Sequence, residues 1–355
     1  MVYLLLFFGF QTDATVYSDT AIYQPLTKSL FSVTPDGEVY ILDRAGFQIH
    51  RYGNDGKKLD SFGAKGQGPG EFEAPAQIGF HNEEIWVLDF WRQGVSFFDR
   101  DGRFLRFRRH AGLGSSLIPT ETGWVYHKIV PWGKEPAMIA TLDPSLRQPE
   151  TLLEWVPEWT MPTKPRGRAG VQYFNPAKEF HFIVGDPAGR FIYVGHTGSQ
   201  FKISVVDCVG EKQTRTIYRP EKAVPFNRDW GEEKLAEINH GLPLTKKLRL
   251  NAPSHFPILK GLDFSPEGTL VVELWTAYPD NQQSFVVMDS QGREGALAYK
   301  PAYNQRVLGV LGDWAYVAGY TFGEAIVYKT PLAAVDRVCE SHPVRYQKRS
   351  FTMLR

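Results

Sequence analysis

The stretch Leu59–Pro75, LDSFGAKGQGPGEFEAP, lies between one apolar run ending VYILD at Asp43 and a second ending IWVLD at Asp89. Runs this rich in β-branched and aromatic residues, bounded by glycine clusters, read as strands. The glycines at 63, 66, 68 and 70 supply positions for tight turning. Although glycine-rich, the stretch does not end in GK[ST] ahead of a helix, so it is not a phosphate-binding loop of that kind. It reads instead as the turn between two copies of one structural unit.

Working outward, the unit recurs. SLFSVTPDGEVYILD (29–43) and QIGFHNEEIWVLD (77–89) place Val39 and Ile85 about 46 residues apart, and each is followed by a second hairpin, FQIHRYGNDGKKLDSFG (47–63) and VSFFDRDGRFLRFRR (95–109). The turns Asn54-Asp55-Gly56 and Asp99–Gly102 offer the φ > 0 positions that tight hairpins need. Weaker copies follow at 119–129, 182–196, 259–274 and 308–320. Some six units at a period of ~40–50 residues fit the blades of a β-propeller, and no WD dipeptide pattern accompanies them.

The Phe62-Gly63 turn, the GxGxGxF stretch at Gly66–Phe72 and the Pro75 leading into the next strand resemble the NHL repeat. That resemblance implies an all-β fold over residues 19–338: a six-bladed β-propeller of four-stranded antiparallel blades, with a short helical insertion between blades four and five. Its specific motifs are confined to residues 36–109. Thr20–Thr27 is expected to complete the last blade, leaving only short, protected sheet edges.

Two insertions break the repeat, 158–179 and 221–257, the second with a predicted helix at Trp230–His240 ahead of Gly241 and Pro243. In an up-and-down blade, the loop leading into the first strand and the loop from second to third strand share one face. Both insertions should therefore rise together, and long loops in compact domains commonly carry function. Arg166 and Arg168, in TKPRGRAG between Trp159 and Tyr173, offer guanidinium donors, and Trp230 and Trp275 offer aromatic surface. These four are the candidate ligand-binding residues, for a small anion, saccharide, peptide or protein ligand at the channel mouth beneath the insertions.

A second class of function rests on polar groups near the strand ends: Asp43, Asp89, His127, His196, Glu273 and Tyr320, with His181 and His255 ahead of the first strands of blades four and five. Some NHL-like propellers, the peptidyl-hydroxyglycine amidating lyases, hold zinc through histidines where a blade begins. His181 and His255 fall at similar places, whereas blades one and two begin with Lys28-Ser29 and Ala76-Gln77. Under this reading His181, His196 and His255 would hold zinc or calcium for a metal-dependent lyase or hydrolase, as amidating lyases or lactonases do. Under the first reading no cofactor is expected. Asp43 and Asp89 follow the repeat's own pattern and are expected to cap the turns after them, and the alternation of Arg106, Arg108 and Arg109 with Phe104 and Phe107 reads as a polar sheet edge.

Composition narrows the classes. The chain has 355 residues, 43% hydrophobic and 22% charged, and its formal net charge of +1 sets up no global field for nucleic acid. The opening MVYLLLFFGF has the length of a signal-peptide core without a basic start, so residues 1–15 read as a truncated signal peptide and the protein as secreted or periplasmic; read as a strand, the run would leave it cytoplasmic. No stretch reaches the ~20 apolar residues of a membrane-spanning helix. Cys208 and Cys339 rule out a disulfide-rich scaffold and read as separate buried thiols, with one bridge between them as the alternative. Residues 339–355 are read as a C-terminal tail, and the chain as a monomer.

Overall fold

The computed structural model describes residues 15–22, 28–110, 116–128, 137–155, 173–174, 182–186, 189–196, 198–209, 214–240, 248–264, 270–276, 284–288, 306–311, 314–321 and 324–331. The blades are antiparallel sheets whose strands pair in chain order, apart from the closing strand of blade six, while two short two-stranded sheets, Ala64–Lys65 with Glu71–Phe72 and Tyr173–Phe174 with Arg249–Leu250, are parallel. Blade one is Phe31–Val33, Val39–Asp43, Gln48–Tyr52 and Lys58–Phe62; blade two is Pro75–His81, Glu84–Asp89, Gly94–Phe98 and Phe104–Arg109. Blade three is Ser116–Thr120, Gly123–Lys128, Ala137–Leu142 and Glu150–Trp155; blade four is Phe182–Gly185, Phe191–His196, Phe201–Asp207 and Thr214–Arg219. Among the described residues blade five has three strands, Leu259–Phe264, Leu270–Leu274 and Ser284–Met288. All six hairpins read from the sequence fall on the first two strands of a blade.

The chain divides into two compact units. The first holds blade one, most of blade two and blade six, which comprises Arg306–Leu311, Trp314–Thr321 and Glu324–Pro331. The fourth strand of blade six comes from the other end of the chain: Thr15–Ile22 pairs antiparallel with the last strand, Thr15 opposite Lys329 and Tyr17 opposite Val327. This closing strand was expected at Thr20–Thr27. It spans Thr15–Ile22, beginning five residues earlier, where Thr15, Val16 and Tyr17 suit a ladder.

Second strands are buried on both faces; Val39, Tyr40, Ile41 and Leu42 have no exposed surface. A run of this kind must have packed layers on either side, and here it belongs to one core with Phe31, Ile78, Ile85, Leu308, Tyr316 and Val327. The Leu59–Pro75 stretch seats Phe72 in that core, fully buried, with its ring 5.9 Å from that of Phe98. Gly63 has φ +95°, and a Cβ there would sit 2.5 Å from the Phe72 ring. The loop is held by Gly66 N–H donating to Phe72 O (2.9 Å) and Gly68 N–H donating to Glu71 Oε2 (2.7 Å). Around this apolar seat, Arg51 bridges Glu38 (2.8 Å) and Asp101 (2.9 Å), while Arg100 pairs with Asp36 and Glu38. The Arg100 guanidinium holds the Asp36 carboxyl down at about 2.

The second unit contains blades three, four and five. One cluster packs Tyr193, Phe201, Ile203 and Val205 against Ile258, Leu259, Leu270 and Val272. Another joins Val125, Ile139, Ile192, Val194 and Cys208. Cys208 is buried with its thiol 3.8 Å from Val206 O; Cys339 lies outside the described residues. The polar edge read at Arg106 is filled by a two-bonded pair with Glu84, at 2.7 and 2.6 Å.

Phe72→Ala should lower the stability of the first unit by about 3–5 kcal/mol, the usual cost of emptying a buried aromatic site. A urea melt would show this as a lower midpoint; an unchanged midpoint would mean that the seat does not hold the blades.

Candidate functional site

The insertion 221–257 leaves blade four and returns to blade five through a backbone clip. Phe226 N–H donates to Ser254 O (3.1 Å), Phe256 N–H donates to Val224 O (2.8 Å), and Pro225 and His255 form an isolated bridge between them. Beyond the clip runs the helix Arg228–His240, two residues longer at its start than Trp230–His240. Asn227 begins it, its side-chain oxygen accepting the Trp230 N–H at 3.1 Å as an N-cap. Gly231 and Leu235, four apart, are buried on one face, while Glu232, Glu233, Ala236 and Glu237 are exposed. A glycine so early in a helix costs about 1 kcal/mol against alanine. Here the Phe226 ring lies 2.7 Å from where a Gly231 Cβ would stand, so only glycine admits it.

The helix end is fixed by Asn239, whose side chain both donates to Leu248 O (3.0 Å) and accepts from Leu248 N–H (2.8 Å). The chain then pairs in parallel with the other insertion, Arg249 opposite Tyr173 and Leu250 opposite Phe174. The two insertions expected on one face are thus hydrogen-bonded to each other.

Four aromatic residues gather at the clip. Phe256, almost fully buried, stacks on Trp275 at 4.9 Å and 8°, and it lies 4.9 Å from Phe226 and 5.4 Å from Trp230. Trp230 meets Trp275 edge-on at 5.7 Å. Both tryptophans remain partly open to solvent. The backbone N–H of Trp275 donates to Ile258 O (3.1 Å), and the backbone N–H of Ile258 in turn donates to Gly198 O (2.9 Å) in the turn after the second strand of blade four. A Cβ on Gly198 would meet nothing within 4 Å, so the space beside that turn is open.

Beside Trp275 the ladder of blade five slips: Leu259 faces Leu274 and Gly261 faces Glu273, leaving Lys260 as the extra residue of a bulge. Bulges re-aim side chains and are frequent near active sites. Lys260 pairs with Glu273 at 2.8 Å, each side chain a quarter exposed, and its ammonium lies 5.6 Å over the Trp275 ring.

Of the residues singled out in the sequence, the structure therefore brings Trp230 and Trp275 together. Arg166, Arg168 and His181 lie outside the described residues. His196 ends the second strand of blade four, hydrogen-bonded to Ser204 Oγ at 2.8 Å, and burial drives its pKa down to about 4. His255 is exposed in the clip, 3.1 Å from Ser254 Oγ. His127 is buried within its strand, its pKa likewise pushed to about 4 by burial. Among the described residues no three His, Cys, Asp or Glu side chains are grouped to hold a metal. Asp43 and Asp89 cap turns as expected, accepting from Ala45 N–H (3.0 Å) and Arg92 N–H (3.1 Å). Phe226, Phe256 and Lys260 were not singled out in the sequence. The four-residue spacing of Phe226 and Trp230, and the Lys260-Gly261 step inside a strand pattern, were the available signals.

Residues 29–130 match the DUF5128 family, described as a 6-bladed beta-propeller. No curated protein matches the chain in sequence. Among solved structures, a DUF4221 family member from Bacteroides vulgatus is similar with a TM-score of 0.53 and 11% identity, over 89% of this chain and 95% of its own. A Bacteroides fragilis protein described as exported gives 0.51 and 10%, over 90% and 94%. A Xanthomonas campestris gluconolactonase gives 0.47 and 12%, over 88% and 89%. At such identities the likeness is one of fold. The chain is a six-bladed β-propeller, its repeat read from the sequence as NHL-like, with one short helix inserted between blades four and five.

Because burial lowers the His127 pKa below its unfolded value of 6.5, the neutral ring contributes stability that is present above pH 6.5 and is lost as the pH falls toward 4. The loss is on the order of 3 kcal/mol for a shift of this size. Urea melts of His127→Leu should show a shallower decline between pH 6.5 and 4 than the parent; parallel declines would rule out this group as a source of acid sensitivity.

Proposed function

We propose that this chain is a ligand-binding propeller, secreted or periplasmic, whose ligand is held over blade five by the two joined insertions. The observation that carries the reading is the pair Trp230 and Trp275: a helix built into an insertion delivers one tryptophan edge-on to another, and both keep open surface. A tryptophan needed only to pin the helix would be expected to bury its ring as Phe256 does. Sites for small ligands are largely apolar with a few placed polar groups, and Lys260 with Glu273 fits that description. Arg166 and Arg168, on the insertion that pairs through Tyr173–Phe174 with Arg249–Leu250, are proposed to contact the same ligand. The ligand classes this suits are a small anion, a saccharide or a peptide segment, free or on a protein surface. No helix among the described residues is long and apolar enough to cross a membrane, and export accords with the description of the Bacteroides fragilis structure.

A second reading, a metal-dependent lyase or hydrolase, draws support from His196, which burial keeps as the neutral imidazole that a zinc ion requires. Together with His255 and His181 it would hold zinc or calcium. Metal content of the purified chain, with melting before and after chelation, separates the two readings.

Thermal-shift screening of the full chain against sulfate, phosphate, neutral and acidic sugars and short peptides should find a class that raises the melting temperature, as a ligand bound only by the folded state must. Trp275→Ala and Trp230→Ala should each weaken that binding tenfold or more, with Trp275→Phe intermediate. Binding that all three variants leave intact would remove the site from these residues.

A further inference from the structure

We propose that the turn 90–93 of blade two is a membrane-docking tip, whose Phe90 and Trp91 side chains enter the interface of an anionic lipid surface. The inference uses none of the residues of the ligand reading above and goes beyond it.

Seven large hydrophobic side chains are exposed among the described residues, and Phe90 (42%) and Trp91 (70%) are the only two adjacent in the chain. Trp91 is the most open of the seven. The turn that carries them is built from other groups. Asp89, fully buried, accepts the Arg92 N–H at 3.1 Å, and Gln93 takes a φ of +50° while its carbonyl accepts the His110 N–H at 3.2 Å. Arg92 lies 4.3 Å from the centre of the Phe107 ring, and Gly94 leaves that ring its room, since a Cβ there would stand 2.3 Å from it. The side chains of Phe90 and Trp91 take no part in this framework, so the turn keeps its shape without them.

Blade one supplies a comparison within the same chain. Its turn 44–47 also follows a capping aspartate, Asp43, and also ends on a residue of positive φ, Phe47 at +56°. The two positions that correspond to Phe90 and Trp91 there hold Arg44 and Ala45. A turn of this form therefore accepts a charged and a small residue, and its geometry does not call for two aromatic rings in water. Apolar surface left in water forgoes the free energy of burial. Two such rings side by side mark a contact surface, where a single one would not.

The form of the tip selects the partner. Sites for small molecules are concave, whereas these side chains stand out from a turn. Phe and Trp bury about 150–250 Å² each, so the pair falls well short of the about 800 Å² that each side of a standard protein interface contributes. A lipid interface needs no matching surface, and Trp, with an apolar body and one N–H, is enriched at headgroup level. The charge nearby fits acidic headgroups. Across residues 85–98 the one carboxylate is Asp89, buried under its own turn. The neighbouring strand ends in Arg108 and Arg109: Arg109 is exposed, Arg108 donates to the neutral Pro144 O at 2.8 Å, and neither pairs with a carboxylate among the described residues. Cations so placed add an attraction to anionic lipid that salt screens.

The test is co-sedimentation of the full chain with vesicles of phosphatidylcholine alone and of phosphatidylcholine mixed equally with phosphatidylglycerol. The expected result is binding to the mixed vesicles, weaker on phosphatidylcholine and loosened by added salt. Replacing both tip residues by those of blade one, Phe90→Arg with Trp91→Ala, should weaken it by roughly tenfold or more at an unchanged urea midpoint. Trp91→Ala alone gives the same reading if the double variant does not fold. No binding to the mixed vesicles overturns the inference, as does binding that the folded variants retain or that is equal on phosphatidylcholine alone. A protein partner held through Trp91 in the absence of vesicle binding overturns the lipid assignment too.

Discussion

A blade is a sheet with two apolar faces, and it is stable only while neighbouring blades cover both. The contact that meets this demand most plainly is Phe72 in the seat left by Gly63. The phenyl ring comes from the connector, not from either sheet, and lies against Phe98 in the core of the first unit. A tight glycine loop returns the ring to this position, held by Gly66 and Gly68 donating to Phe72 and Glu71 of the same loop. In the same unit Arg51 pairs with Glu38 and Asp101, and Arg100 with Glu38.

The sequence made the blades legible because their signal is local. Each first hairpin combines a turn with a second strand that is apolar throughout, as in Val39–Leu42, and such a pattern needs no knowledge of partners. The closing strand was harder to place. Its position depends on Glu324–Pro331, some three hundred residues away, and nothing in Thr15–Ile22 alone sets its register. The helix was readable from the Gly241 and Pro243 that follow it, within two residues at its start.

The site was half legible for the same reason. Trp230 and Trp275 stood out as large residues beside breaks in the repeat, and topology put both insertions on one face. Their pairing through Tyr173–Phe174 and Arg249–Leu250 depends on a parallel register between segments that carry no strand signal of their own. Phe256 looked like any residue leading into a strand; its role appears only when the clip folds it against Trp275. Lys260 is the least visible, because a bulge is a relation between two strands and a single strand's sequence does not announce it.

The clip and the closing strand place opposite demands on the order of assembly. The clip joins Val224–Phe226 to Ser254–Phe256 and forms within one stretch of chain as soon as that stretch exists. The closing strand is the reverse: Thr15–Ile22 is made first and finds its partner only when Glu324–Pro331 has been made. At about 5–20 residues per second of synthesis, that interval is at least some fifteen seconds. During it the last blade lacks its outer strand and the first strand of the chain has an open edge, the form in which sheets most readily join the wrong neighbour. The propeller is therefore most vulnerable before it closes.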